Sequence, residues 1–397
     1  MRPVAPPERA TREVLHIPSL DGIRAASVML VFAAHAGLKD RVPGNFGVTV
    51  FFFLSGYLIT TLLRAEKERT AHISLRSFYL RRVLRIFPPY YLVLMLATLL
   101  TVTGALPGPR IQPDALLSQV LYLTNYRIVR HGWWDGLAPG TWIFWSLSVE
   151  EYFYLGFPLL YLALLRWLPG RRRQALVLVG LCGLVLAWRL ILVLLLGVPK
   201  DRTYIATDTR IDSILFGCIL GLIGNPVLDS TRVPERAWKL ALVPLALAGL
   251  LVSFLVRSPH FQETIRYSLQ GLCLFPLFVT AVRWPDWLPV RWLNVGWVKF
   301  LGVLSYSIYL VHPAVLWGVG SWTRLPAVAQ AAAGLVLTLV IALAIYLVVE
   351  RPAARLRRRL SRLAGPARRD ATDSAGAAPV PRSAPAAAAV QPGGAKP

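Results

Sequence analysis

The sequence predicts an all-α fold, a polytopic membrane helix bundle with about ten transmembrane helices and both termini in the cytoplasm. Three observations predict it. Of the 397 residues, 55% are hydrophobic and only 16% are charged, and the mean hydropathy is +0.54; globular chains are about a quarter charged. The apolar residues fall into runs about 20 residues long, the length a helix needs to cross ~30 Å of hydrocarbon. Lys and Arg gather in alternate loops between those runs, as orientation in a bilayer requires. A soluble enzyme, a disordered chain and a disulfide-stapled secreted domain are excluded.

Taken in order, the spans are expected near 20–38, 46–63, 86–104, 142–165, 174–197, 208–227, 238–256, 264–282, 298–319 and 327–349. The segment 114–129 (DALLSQVLYLTNYRIV) is too short and polar to span, and is expected to be a re-entrant or surface helix. With that scheme the N-terminus and the loops 64–85, 166–173, 228–239, 283–299 and 351–369 hold about three times as many Lys and Arg as the opposite set, which places both termini inside. The expected organisation is a cytoplasmic arm over 1–16 and a membrane domain over 17–352. A basic juxtamembrane segment over 353–370 is expected to lie as a helix on the anionic inner leaflet. An Ala/Pro-rich tail over 371–397 has the composition of disorder.

The net charge of +23 raises nucleic acid as a partner, but its placement in short loops makes the lipid bilayer the expected partner and excludes nucleic acid. Cys182, Cys218 and Cys273 all sit in apolar runs without C-x-x-C spacing, so they read as small buried hydrophobes, with no metal site expected. The polar, Pro/Arg-bearing residues 1–15 do not read as a cleavable signal peptide.

Charged side chains inside spans are costly unless paired or hydrated, which makes them the place to look for function. The first span, SLDGIRAASVMLVFAAHAG, holds Asp21, Arg24 and His35. Arg24 and His35 lie about three turns and roughly 16 Å apart on one face, with Asp21 one turn below Arg24. The column reads either as an ion pair plus a polar bridge, or as a histidine withheld from bulk water to act as general base. Arg81, Arg82 and Arg85 cluster at the start of a helix that Pro88 and Pro89 are expected to interrupt. They are membrane-orienting charges or a clamp for a cytosolic anion. Glu150 and Glu151 open the fourth span; adjacent positions point about 100° apart, so only one is expected to face a given cavity. One of the two is a candidate ion-pair partner of Arg189 or Arg266. In the sixth span Asp208, Arg210 and Asp212 read equally as a helix-joining pair or a catalytic acid. Tyr309 and His312, one turn apart near the end of the chain, suggest a polar chamber shared with His35.

The segments SLDGIRAASVMLVFAAH, FFFLSGYLIT, FYLRRVLRIFPPYY, WSLSVEEYFYL, DTRIDSILFG and LSYSIYLVHP resemble, in order and spacing, the signature blocks of the integral-membrane acyltransferase family 3. These are bacterial O-acyltransferases of surface sugars, with relatives that acylate macrolides. The resemblance runs from about residue 17 to 352. It implies that His35 is the catalytic histidine, with ten residues between it and Arg24. It implies further that Arg82 and Arg85 hold the phosphates of acyl-CoA, and that Glu150 is the glutamate of the W-S-L-x-x-E block. Glu151, Asp208, Arg210, Asp212, Tyr309, His312 and Asp21 are expected to support these residues or the acceptor site. Tyr152 stands where the family often has Gln.

The expected activity is O-acyl transfer from cytosolic acyl-CoA, a co-substrate expected to be acetyl-CoA, to a carbohydrate hydroxyl, with no permanently bound cofactor. His35 would act as base and Glu150 or another carboxylate would orient the ring. The expected location is the bacterial inner membrane, and a separate extracytoplasmic partner is a further expectation, since many family members carry an extra soluble domain that this chain has no room for. The rival readings are a transporter or flippase using the same polar column, and a non-catalytic scaffold.

Overall fold

A computed structural model describes residues 17–363, so the arm 1–16 and the tail 371–397 lie outside the described residues. The described chain is helical, and no strand occurs in it. Its helices are α1 (Pro18–Ala33), α2 (Gly44–Thr70), α3 (Leu75–Val102), α4 (Pro113–Val120), α5 (Thr124–His131), α6 (Trp145–Trp167), α7 (Arg171–Leu190), α8 (Lys200–Ile205), α9 (Thr207–Leu222), α10 (Val243–Leu255), α11 (Ile265–Arg283), α12 (Gly296–Trp322), α13 (Ala327–Ile345) and α14 (Arg351–Leu363). Seven helices are long and apolar enough to cross a membrane, those containing α2, α3, α7, α10, α11, α12 and α13. The other three expected spans coincide with α1, α6 and α9, which fall short by length or by the charges they carry.

The segment 114–129 forms two eight-residue helices, α4 and α5, neither long enough to cross. The basic segment after residue 350 is helical as α14, continuous with α13 through Tyr346–Glu350. One expectation is corrected: α3 runs unbroken from Leu75 to Val102 with Pro88 and Pro89 inside it. Prolines occur inside membrane helices more often than inside soluble ones; just before the pair, the Tyr306 hydroxyl of α12 donates to the Ile86 carbonyl at 2.9 Å.

The core is the pair α2 and α9, which bury residues on every side over their apolar stretches. They approach closely because of small residues. A methyl group at Gly217 would meet the carbonyl of Phe53, and one at Gly56 that of Ile214, the backbone-to-backbone contact that membrane helices build from glycine. Against this pair pack α1, which also lies along α12, and α7, which lies along α9. A buried ion pair ties the second contact: Arg189 of α7 reaches Asp212 of α9 at 2.7 Å and the Ser268 hydroxyl of α11 at 2.7 Å. Asp212 therefore joins helices. Cys182, Cys218 and Cys273 are buried and unbridged.

Candidate active site

Two cavities lie back to back along α1. The first, about 90 Å³, is lined by Arg24 of α1, Arg82 and Arg85 of α3, and Glu150, Glu151 and Tyr154 of α6. Arg24 is held by Asp21 one turn away at 2.8 Å. Arg82 lies over the faces of Phe78 and Tyr154, 5.9 and 5.6 Å from their centroids, and its Nε is buried without an acceptor. Arg24 and Arg82 both lie within electrostatic reach of Arg85. Glu150 and Glu151 lie within electrostatic reach of Arg82, and the guanidinium forks of the cavity have the shape that matches the oxygens of an anion.

Both glutamates face this one cavity, against the expectation that only one would, because the cavity wraps the first turns of α6. Neither pairs with Arg189 or Arg266. Glu150 accepts from the Tyr154 hydroxyl at 2.7 Å, so Ser146, Glu150 and Tyr154, spaced i, i+4, i+8, form a polar stripe down one side of α6.

The second cavity, about 180 Å³, is lined by His35 together with Trp133, Trp142, Trp145, Tyr204 and Tyr309. Its geometry begins in α1. Between Ala34 and Leu38 the helix widens into a π-turn, with Ala36 at φ −80°, ψ 17° and Gly37 at φ 102°. Only glycine takes that positive φ without strain, and π-turns often mark functional positions. The turn carries His35 to this cavity with part of its side chain accessible.

His35 Nδ1 lies 2.9 Å from His312 Nε2. His312 is fully buried, and its Nδ1 faces the carbonyls of Ile308 and Tyr309 at 3.0 and 2.9 Å. Carbonyls only accept, so in the neutral pair the proton of His312 sits on Nδ1 and its Nε2 accepts from His35 Nδ1–H. That assignment leaves the lone pair on His35 Nε2. The orienting partner of His35 is thus His312, and the expectation that Glu150 orients the ring is corrected: Glu150 lies in the other cavity.

Val48 and Tyr309 line both cavities and form the wall between them. The Tyr309 hydroxyl sits 2.5 Å from Ser146 Oγ and donates to the Ile143 carbonyl at 3.4 Å. Asp208 and Arg210 line neither cavity. Asp208 pairs with Arg202 at 2.5 Å and accepts from Trp188 Nε1 at 2.7 Å. Arg210 is buried against the ring of Tyr267, 4.0 Å from its centroid, and donates to Thr49 Oγ1 at 3.1 Å. Residues that individual sequence positions did not flag are Ser146, Tyr154 and the three tryptophans. The i, i+4 spacing in WSLSVEEYFY carries the signal for the first two.

Residues 17–347 match the family model described as an acyltransferase domain. The chain is 29% identical to the peptidoglycan O-acetyltransferase OatA of Listeria monocytogenes, over 76% of this chain and 49% of that one. It is 30% identical to the O-acetyltransferase OatA of Staphylococcus aureus, over 77% of this chain and 52% of that one. The chain thus spans about half the length of these curated relatives. No solved structure matches it. With a family match over most of its length and seven helices able to cross a bilayer, the chain belongs to the acyltransferase domain family as a multi-pass membrane protein.

Proposed function

We propose that this protein is a membrane O-acyltransferase that moves an acetyl group from cytosolic acetyl-CoA to a carbohydrate hydroxyl. In this reading the bundle crosses the membrane ten times, both termini are cytoplasmic, and the arginine cavity faces the cytosol. One observation carries it: an arginine-lined cavity and a histidine-bearing cavity share a wall one side chain thick. The names of the relatives support acetyl as the group and peptidoglycan-type sugar as the acceptor class.

Arg24, Arg82 and Arg85 would grip the phosphates of the donor, guanidinium forks matching phosphate oxygens. The thioester arm, narrow and flexible, would lie along the Ser146 side of α6 and reach past Tyr309. His35 Nε2 then takes the proton of the acceptor hydroxyl as its oxygen attacks the thioester carbonyl. The C–O bond forms, the C–S bond breaks, and the proton held by His35 passes to the departing sulfur. His312 keeps the ring in the tautomer and orientation that leave Nε2 free, the part a carboxylate plays in other catalytic sets.

The test is release of free thiol from acetyl-CoA by the purified protein in proteoliposomes, with and without an oligosaccharide acceptor. Acceptor-dependent thiol release, lost in His35→Ala, is the expected result. Uptake of sugar with no thioester cleavage would instead make the protein a transporter, and Ala at both His35 and Arg82 without effect would make it a scaffold.

A further inference from the structure

The histidine cavity continues outward as a line of indole rings. Trp142 meets His35 edge-on with centroids 5.1 Å apart. Trp134 meets Trp142 edge to face with centroids 5.9 Å apart at 69°, and Trp317, near the C-terminal end of α12, lies 5.6 Å from Trp134 at an interplanar angle of 33°. Each step is about the length of one sugar ring. The outer two are open, Trp134 at 57% exposure and Trp317 at 38%.

These rings are held in place. The Trp317 indole N–H donates to the Pro107 carbonyl at 2.6 Å. The loop that carries Trp134 is braced through Asp135, which takes a hydrogen bond from Gln112 at 2.8 Å and lies 3.5 Å from the buried Arg127 guanidinium. Inside, the Trp142 N–H is buried with no hydrogen-bond partner. A buried donor left open in a native fold calls for an explanation, and at a cavity wall a ligand oxygen supplies one. Apolar ring faces flanked by carboxylate and guanidinium are the surface a pyranose needs, its C–H face on the indole and its hydroxyls at the rim.

We propose that Trp317, Trp134 and Trp142 form the seat of the acceptor, and that the acceptor is an extracytoplasmic glycan chain whose pyranose rings pack on the open faces of Trp317 and Trp134, with Trp142 turned edge-on beside the sugar that delivers a hydroxyl to His35. This rests on the reading above, and it adds the side of transfer and the residues that select a polymeric sugar. Tryptophans also anchor membrane proteins at the lipid headgroups. An anchor, however, has no reason to line up on a catalytic imidazole.

The experiment uses the full chain in proteoliposomes with acetyl-CoA, and chitotetraose or cellotetraose as the acceptor. Trp134→Ala is expected to raise the acceptor KM at least tenfold while kcat and the acetyl-CoA KM stay within twofold, and Trp134→Phe to restore most of the loss. Trp322→Ala, on the same rim but off the line, is expected to behave as wild type. An unchanged acceptor KM in Trp134→Ala, or an equal loss in Trp322→Ala, overturns the proposal in favour of a lipid anchor. Should the wild type transfer no acetyl group, quenching of intrinsic tryptophan fluorescence decides separately. Saturable quenching by either tetrasaccharide that disappears in Trp134→Ala keeps the seat and refutes the enzyme; no quenching by either removes the seat.

Discussion

A single proton decides which face of His35 does chemistry. Because the Nδ1 of His312 faces only carbonyl oxygens, the polarity of the dyad is set from the buried end, and the free lone pair falls on His35 Nε2, the base of the proposed mechanism. Replacement of His35 by Ala is expected to lower kcat by about 10²–10⁴-fold, the usual share of a general base, with the elution profile in detergent unchanged. His312→Ala should be milder, with kcat down about tenfold or more and the donor KM unmoved, since the base survives without its brace. Equal or greater damage from His312→Ala, with an intact fold, would place the base on the wrong ring. At this scale the sequence was informative about types, and the paired intramembrane histidines suggested a shared chamber, but not the direct contact between the rings. Arg24, Arg82 and His35 stand out because charge in an apolar run is costly. The His35–His312 contact spans 277 positions, and no local spacing encodes it. Glu150 misled for the same reason, since the ring it was expected to orient lies across the wall.

Among the elements, α2 and α9 show how packing sets the site. Their closeness depends on Gly56 and Gly217, and α2 contributes Val48 to both cavities. Gly217→Val is expected to cost about 1–3 kcal/mol as overpacking, visible as a lower unfolding temperature and loss of a monodisperse detergent peak. The helix α14 adds a second element-level expectation. It packs against α3, and its Arg357 lies within electrostatic reach of Arg81 and Arg85, widening the cationic mouth beyond the three cavity arginines. Arg357→Glu should raise the acetyl-CoA KM about tenfold, the loss of one charge-assisted contact, and leave the acceptor KM alone. An unmoved donor KM would confine donor binding to α1 and α3. The helices themselves were legible because hydrophobic length is a strong signal. The unbroken run of α3 through Pro88 and Pro89 was not, since proline is read from sequence as a helix breaker.

For the molecule as a whole, the two cavities imply directionality. With acetyl-CoA sealed on the arginine side of a vesicle and oligosaccharide only outside, acetylated sugar should appear outside and free CoA should stay within. Acetylated product found only on the CoA side would reverse the assignment of the histidine cavity. Tyr309→Phe removes the hydroxyl that meets Ser146 at 2.5 Å, and should raise thiol release in the absence of acceptor, because water then reaches the thioester. The alternation of basic and neutral loops supplies the topology proposed here; the wall was not legible, because Val48 and Tyr309 come from α2 and α12, far apart in the chain.

In the proposed orientation that wall would also be the cell's insulation. Where Tyr309 and Val48 line both cavities, the barrier that holds ion gradients would thin to a pair of side chains. An enzyme that parts them at each turnover risks leaking protons, and the rate it can sustain is then limited by how briefly it stays open as well as by its chemistry.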